Sequence, residues 1–215
     1  MKLYPTRIDQ RHVGLGATVL AALLLSGCSL MPKGEPIETF LLPEHAAPPA
    51  FASPPTALAL RINKPATGVR LSGHRIVVLP QDRQISVYKG AQWSDPPPVL
   101  VRNRLVDAFR TDGRIVRLSG DERLLMVDLE LDTDLRTFQS EYRRGVPEVL
   151  VQLDARLIDP GLKRVVATRF FDIRQPVNGK EVPQVVEAFG RASDTLSAQV
   201  VEWVNSYAAT ARKAP

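Results

Sequence analysis

Between residues 125 and 136 the chain alternates: Leu125, Val127, Leu129, Leu131 and Leu135 share one parity, while Asp128, Glu130, Asp132, Asp134 and Arg136 share the other. Successive side chains of a strand point to opposite faces, so a half-buried strand is the element that gathers all five aliphatics on one side. Such a strand needs neighbours, and the chain supplies them. Residues 149–158 put Val149, Val151, Leu153, Ala155 and Leu157 on one face, and residues 164–173 do the same with Val165, Ala167, Phe171 and Ile173. Asp159-Pro160-Gly161 between them is turn chemistry. The second half of the chain therefore reads as an antiparallel meander.

The remaining elements are shorter. Residues 56–62 carry Leu58, Leu60 and Ile62 on one face; residues 75–79 form a buried strand that Pro80 ends; residues 84–88 alternate around Ile85 and Val87 before Lys89-Gly90 turns the chain. Asp95 followed by Pro96-Pro97 starts a helix, cap then first-turn prolines, with Val101, Leu105, Ala108 and Phe109 as its buried stripe. Arg102, Arg104, Asp107 and Arg110 lie off that stripe on a solvated face. Gly113 ends the helix and a strand over 114–118 follows. From near Pro183, Val186, Phe189, Ala192, Leu196, Val200, Trp203 and Tyr207 recur at three- and four-residue spacing along a long amphipathic helix, which Gly190 is placed to bend. The order predicts an α/β domain over residues 56–209, with a mixed, mostly antiparallel sheet, one mid-chain helix and one long C-terminal helix. Residues 210–215 are a tail.

The first eleven residues hold Lys2, Arg7 and Arg11 against Asp9, and an apolar run over 13–25 follows. That run is short of the ~20 apolar residues a ~30 Å bilayer core requires, so residues 1–27 read as a signal peptide. Leu25-Ser26-Gly27-Cys28 is a lipobox: small residues fit a narrow peptidase site, cleavage falls between Gly27 and Cys28, and the Cys28 thiol takes diacylglycerol. Each buried methylene contributes ~0.8 kcal/mol, so two or three acyl chains hold firmly to a membrane. Ser29, not aspartate, is the second mature residue, which favours the outer membrane over inner-membrane retention. Residues 28–55 are a lipidated, proline-rich tether in which 39–42 offer an edge strand. Removal of the leader leaves 25 basic residues against 22 acidic ones without a basic block, which excludes nucleic acid as a partner. Cys28 is the single cysteine, so an acylated chain has no thiol left for a disulfide or a metal.

A search for chemistry finds little. Asp128, Glu130, Asp132 and Asp134 resemble the start of an EF-hand loop, but Thr133 stands where the turn glycine belongs and the interleaved leucines require a strand. Pairing with Arg156, Arg169 or Arg174 on neighbouring strands accounts for them. There is no Gly-x-Ser-x-Gly, and the mature chain has only His45 in the tether and His74 before a strand. No catalytic residue, cofactor or metal is expected, which suits a binding or scaffolding part of an envelope complex.

In that setting the mature chain resembles the ABC-type transport auxiliary lipoproteins, the PqiC-like family. The likeness rests on the lipobox, then Ile85 and Val87 leading to Tyr88, then Trp93 and the Pro96-Pro97 helix with Leu100, Leu105, Phe109 and Gly113. It continues through Leu129-x-Leu131 leading to Phe138, the Leu157-x-Asp159 turn, and a closing helix that ends in Trp203. The resemblance implies a three-layer α/β domain, no active site, and an outer-membrane lipoprotein facing the periplasm. It also implies work beside an MCE-domain protein and an ABC transporter in lipid transport. Tyr88 and Trp93 fall at the family's aromatic motif, where they either anchor a partner or pack the loop onto the core. The C-terminal helix with Trp203 and Tyr207 suits homo-oligomer contacts as well as core packing. The competing readings are an envelope-assembly lipoprotein serving lipopolysaccharide or barrel biogenesis, and a hydrolase using the Asp128–Asp134 ladder with His74.

Overall fold

The computed structural model describes residues 36–45, 56–81, 84–120, 125–143 and 145–211. The leader, the lipobox with Gly27 and Cys28, most of the tether and residues 212–215 lie outside the described residues. Met1–Pro36 and Ile37–Pro215 separate as two units, and all the elements of the fold belong to the second. They are β1 (Glu38–Phe40), β2 (Thr56–Ile62), a 3-10 turn (Val69–Leu71), β3 (Arg75–Gln81), β4 (Gln84–Trp93), α1 (Pro97–Asp112), β5 (Ile115–Gly120), β6 (Leu129–Arg143), β7 (Val146–Asp159), β8 (Arg164–Pro176) and α2 (Val182–Ala211). The class is the expected α/β one: an eight-stranded mixed sheet, a mid-chain helix and a long closing helix.

β6 organises the sheet. One of its edges pairs with β7, which pairs in turn with β8, all antiparallel. The other edge is shared by two partners: Leu129 to Leu131 take β2 in parallel, with β5 beyond it, while Ser140 and Glu141 take β3, with β4 and then β1 beyond. Between these partners the backbone of Asn63 and Ala66 donates to the carbonyls of Leu131 and Thr133 at 3.1 and 2.8 Å, and Leu135 donates back to Ala66 at 2.8 Å. Backbone groups of β6 at the fork thus stay paired, as buried ones must. The leucine face of β6 is buried with Leu60, Ile62, Leu153 and Leu157, and α1 and α2, which touch each other, add Leu105, Phe109, Phe189, Leu196 and Val200 to the same core.

Several boundaries differ from those read in the sequence. β4 does not turn at Lys89-Gly90 but runs on to Trp93; Gly90 has φ 68° and sits where β4 has more residues than β3 between the pairs Arg75–Gln92 and Val77–Val87. A glycine in the left-handed region serves a bulge as well as it serves a turn. β3 continues through Pro80 because its pairing with β6 has ended at Leu79, so no sheet bond there needs the missing N–H. β6 starts at Leu129, leaving Leu125 and Met126 exposed; Asp128 instead accepts the Ala59 N–H at 2.6 Å. Asp95 does not cap α1, since Pro96 holds that position without a side-chain bond and Asp95 accepts from Ser94 Oγ at 3.2 Å.

Candidate functional site

The most specific polar constellation ties the chain's N-terminal segment to both helices. α1 and α2 meet beside residues 42–45, and Arg104, expected on a solvated face, is only 8% exposed there. Its guanidinium donates to Asp194 on α2, to the Leu42 carbonyl at 3.1 Å and to the Pro43 carbonyl. Arginine's fork of donors suits a site holding one carboxylate and two carbonyls. The other Asp194 oxygen lies 2.7 Å from His45 Nδ1, and Glu187 lies 3.1 Å from His45 Nε2. With a carboxylate at each ring nitrogen, the imidazolium is favoured. The His45 pKa is raised, first by the Asp194 hydrogen bond and then by that of Glu187, against a smaller opposing effect of burial.

Gly190 completes the clamp. A Cβ at this position would stand 2.8 Å from the Pro43 carbonyl oxygen and 3.1 Å from His45 Cε1, so the glycine admits the N-terminal segment against α2. That close approach gives the glycine a structural use. Glu187, Gly190 and Asp194 recur at three- and four-residue spacing, a second stripe on α2 that the apolar stripe obscures in the sequence.

Trp93 cannot serve as an exposed anchor: it is fully buried, with its ring edge-on to Phe138 at 5.9 Å and to Phe189 at 5.2 Å. Phe138 and Phe189 stack at 4.6 Å. Aromatic pairs at this separation contribute beyond their buried area, and these three rings join β4, β6 and α2. Tyr88 is half-buried and donates to Ser140 Oγ at 3.2 Å; burial raises its pKa. Trp93 therefore follows the packing alternative, while Tyr88 keeps part of its ring at the surface.

The carboxylate ladder is likewise occupied. Arg61 lies 2.5 Å from Glu130, Arg156 lies 2.8 Å from both Asp132 and Asp134, and Arg117 lies 3.8 Å from Asp128. Arg174 turns instead to Glu141 and Glu148, and Arg169 covers the Phe171 ring. His74 Nδ1 lies 3.1 Å from the Trp93 carbonyl, far from the ladder in its bonding. Among the described residues no group of three His, Cys, Asp or Glu side chains is arranged to hold a metal.

The profile of the ABC-type transport auxiliary lipoprotein component matches residues 40–201, from β1 through most of α2. The chain belongs to that family. This auxiliary lipoprotein is similar in structure to protein XCC0632 from Xanthomonas campestris, with 25% identity and a TM-score of 0.76, covering 82% of this chain and 99% of that one. The hypothetical protein CT253 from Chlamydia trachomatis shares the fold at 8% identity and a TM-score of 0.51, over 70% of this chain and 98% of that one. In sequence, 111 residues are 29% identical to protein bll6063 of Bradyrhizobium diazoefficiens, which is 52% of this chain but spans only 30% of that relative. No helix among the described residues is long and apolar enough to cross a membrane.

Proposed function

We propose that this auxiliary lipoprotein is acylated at Cys28, faces the periplasm from the outer membrane, and docks without catalysis onto an MCE-domain protein of an ABC lipid transport system. Membership of the family over residues 40–201 is the observation that carries the reading. Two features support it. The basic leader, short apolar run and Leu25-Ser26-Gly27-Cys28 are the sequence of a lipoprotein export signal. Moreover, residues 38–42 are built into the fold by β1 and by Arg104, so the domain begins close after the proposed lipidation site in sequence. Binding by such a protein belongs to surface side chains, so the docking face is sought among exposed residues and not at Trp93.

The test is photo-crosslinking in cells from exposed positions such as Ile85, Met126 and Leu162, with mass spectrometry of the captured protein and of the N-terminal peptide. Capture of an MCE-domain protein, with an acylated Cys28, is expected. Recovery of barrel- or lipopolysaccharide-assembly proteins alone would replace the transport reading with the envelope-assembly one.

A further inference from the structure

α1 and β5 run side by side in opposite directions. Gly113, at φ 71°, reverses the chain between Asp112 and Ile115, and the first turns of α1 return to the far end of β5: a Cβ added to Gly120 would stand 3.8 Å from the Arg102 guanidinium. Among the described residues β5 pairs with β2 alone, and it ends the strand order β1-β4-β3-β6-β2-β5 with one edge open. A strand bonded on one side leaves every second N–H and C=O pointing outward, a template that a further strand can complete.

The side chains beside that edge decide what kind of strand suits it. Leu118 is in register with the buried Leu60 and Gly120 with the buried Ile62, so both face the helices. A hollow of about 380 Å³ opens there between β5 and α1, with Arg102, Val106 and Arg110 along its helical wall. These three residues are four apart and lie on one stripe of the helix, cation, carbon and cation in order. Four helical residues rise ~6 Å, and two residues of a strand advance ~6.7 Å. Alternate side chains of a strand laid beside β5 therefore fall in step with the stripe. Arg110 is 67% exposed, and its neighbour Asp107, 3.1 Å away and also exposed, holds it only as firmly as a surface ion pair does. Arg102 donates through Nε to Asn103 Oδ1 at 2.9 Å. Asp107 is the one acidic residue among those that line the hollow, against two arginines, so the wall favours carboxylates.

We infer that the open edge of β5 and the Arg102–Val106–Arg110 stripe form a groove for an extended segment of a partner protein, which adds a strand to β5 and presents acidic, apolar and acidic side chains at alternate positions. Main-chain bonds to β5 supply the affinity of such a contact, and the stripe supplies its selectivity. The inference deepens the docking reading above and rests on it for the existence of a partner, while naming what that partner presents.

The probe is the peptide Thr-Glu-Thr-Val-Thr-Glu-Thr, fluorescently labelled and titrated by anisotropy against the full-length protein in detergent micelles. Its pattern reads the same in both directions, so either strand orientation is tested. Binding with slowed amide exchange over residues 115–120 is expected. The counterpart with lysine for both glutamates should bind about tenfold more weakly, since two exposed ion pairs are lost. N-methylation of one of the two alternate sets of backbone nitrogens should abolish binding, because it removes the donors that face β5. Arg102→Glu with Arg110→Glu should reverse the preference in favour of the lysine peptide, with circular dichroism to verify the fold; should that variant not fold, the peptides on the wild-type protein still decide. Equal affinity for the two peptides, binding that survives both N-methylated sets, or protection away from β5 would overturn the groove. So would protection of β5 that grows with protein concentration and resists the peptide, which would give the edge to a second copy of this chain. Failure of the titration leaves docking onto an MCE-domain protein by another face intact, whereas failure of the cellular crosslinking leaves the affinity of the groove for the peptide measurable.

Discussion

Gly190 sits where two opposing effects can be weighed. Alanine in a helix interior is favoured over glycine by ~1 kcal/mol. Against this stands a Cβ forced to 2.8 Å from a backbone carbonyl, and overpacking of that kind costs ~1–3 kcal/mol. Since Pro43 lies outside every strand and helix, Gly190→Ala should leave the core folded and expel residues 42–45, seen as faster proteolysis near His45 with little change in the urea midpoint. His45 itself gives a pH dependence of defined sign. Its folded pKa is raised, so its stabilisation is fully present below the unfolded value of about 6.5 and is lost as pH rises through the folded value. Protection of the segment should decline from pH 6 toward pH 8 in the wild type and be flat across this range in His45→Gln, as read by amide exchange at fixed intrinsic rate. Trp93→Ala removes the ring shared by Phe138 and Phe189 and should cost ~3–5 kcal/mol in chemical denaturation, the signature of a core residue.

At the scale of elements, the bulge in β4 makes a prediction of its own. Gly90 holds φ 68°, where an L-residue costs roughly 1–2 kcal/mol, so Gly90→Ala should lower the denaturation midpoint accordingly and loosen β1, which pairs with β4 just beyond it. The carboxylate ladder of β6 predicts the opposite kind of result. Partly exposed ion pairs contribute ~0.2–1 kcal/mol each, so replacing Asp132 and Asp134 by alanine should shift stability only slightly and produce no calcium response in calorimetry. β6, β7 and β8 were legible in the sequence because over residues 129–136, 151–157 and 171–173 one face is buried and the other is not, and alternation reports that asymmetry directly. Val165, expected on the buried face of β8, is 50% exposed because the pairing shifts register there, Leu157 with Ala167 but Ile158 with Val165, which turns it to the opposite face. β4 was less so, because a positive-φ glycine looks the same whether the chain reverses or bulges. The clamp was illegible for another reason. Arg104 lies off the apolar stripe of its own helix, and its burial comes from Leu42 and Pro43, some sixty residues earlier in the chain. Only the Glu187–Gly190–Asp194 spacing on α2 carried any trace of it.

Over the whole molecule, the pairings differ in how many neighbours secure them. β6 and β7 sit at the centre of the long antiparallel ladder, while β1 is a three-residue edge held on one side by β4 and at its end by the Ser94 amide bonding to Phe40. Local stability follows such differences. Amides of Leu131 and Leu153 should exchange only through global unfolding, whereas Arg104→Ala should selectively release the Ser94 amide; equal acceleration at all three sites would mean that the clamp supports the entire fold. The same arrangement has a mechanical meaning. Tension applied to residues before Ile37 runs along β1, so the hydrogen bonds to β4 are loaded together in shear and not peeled one at a time. Arg104, gripping the carbonyls just past β1, acts as a stop beyond the short ladder. A domain tugged between two attachments would thus give way only when several bonds fail at once, and its N-terminal strand works as a strain relief as well as an edge.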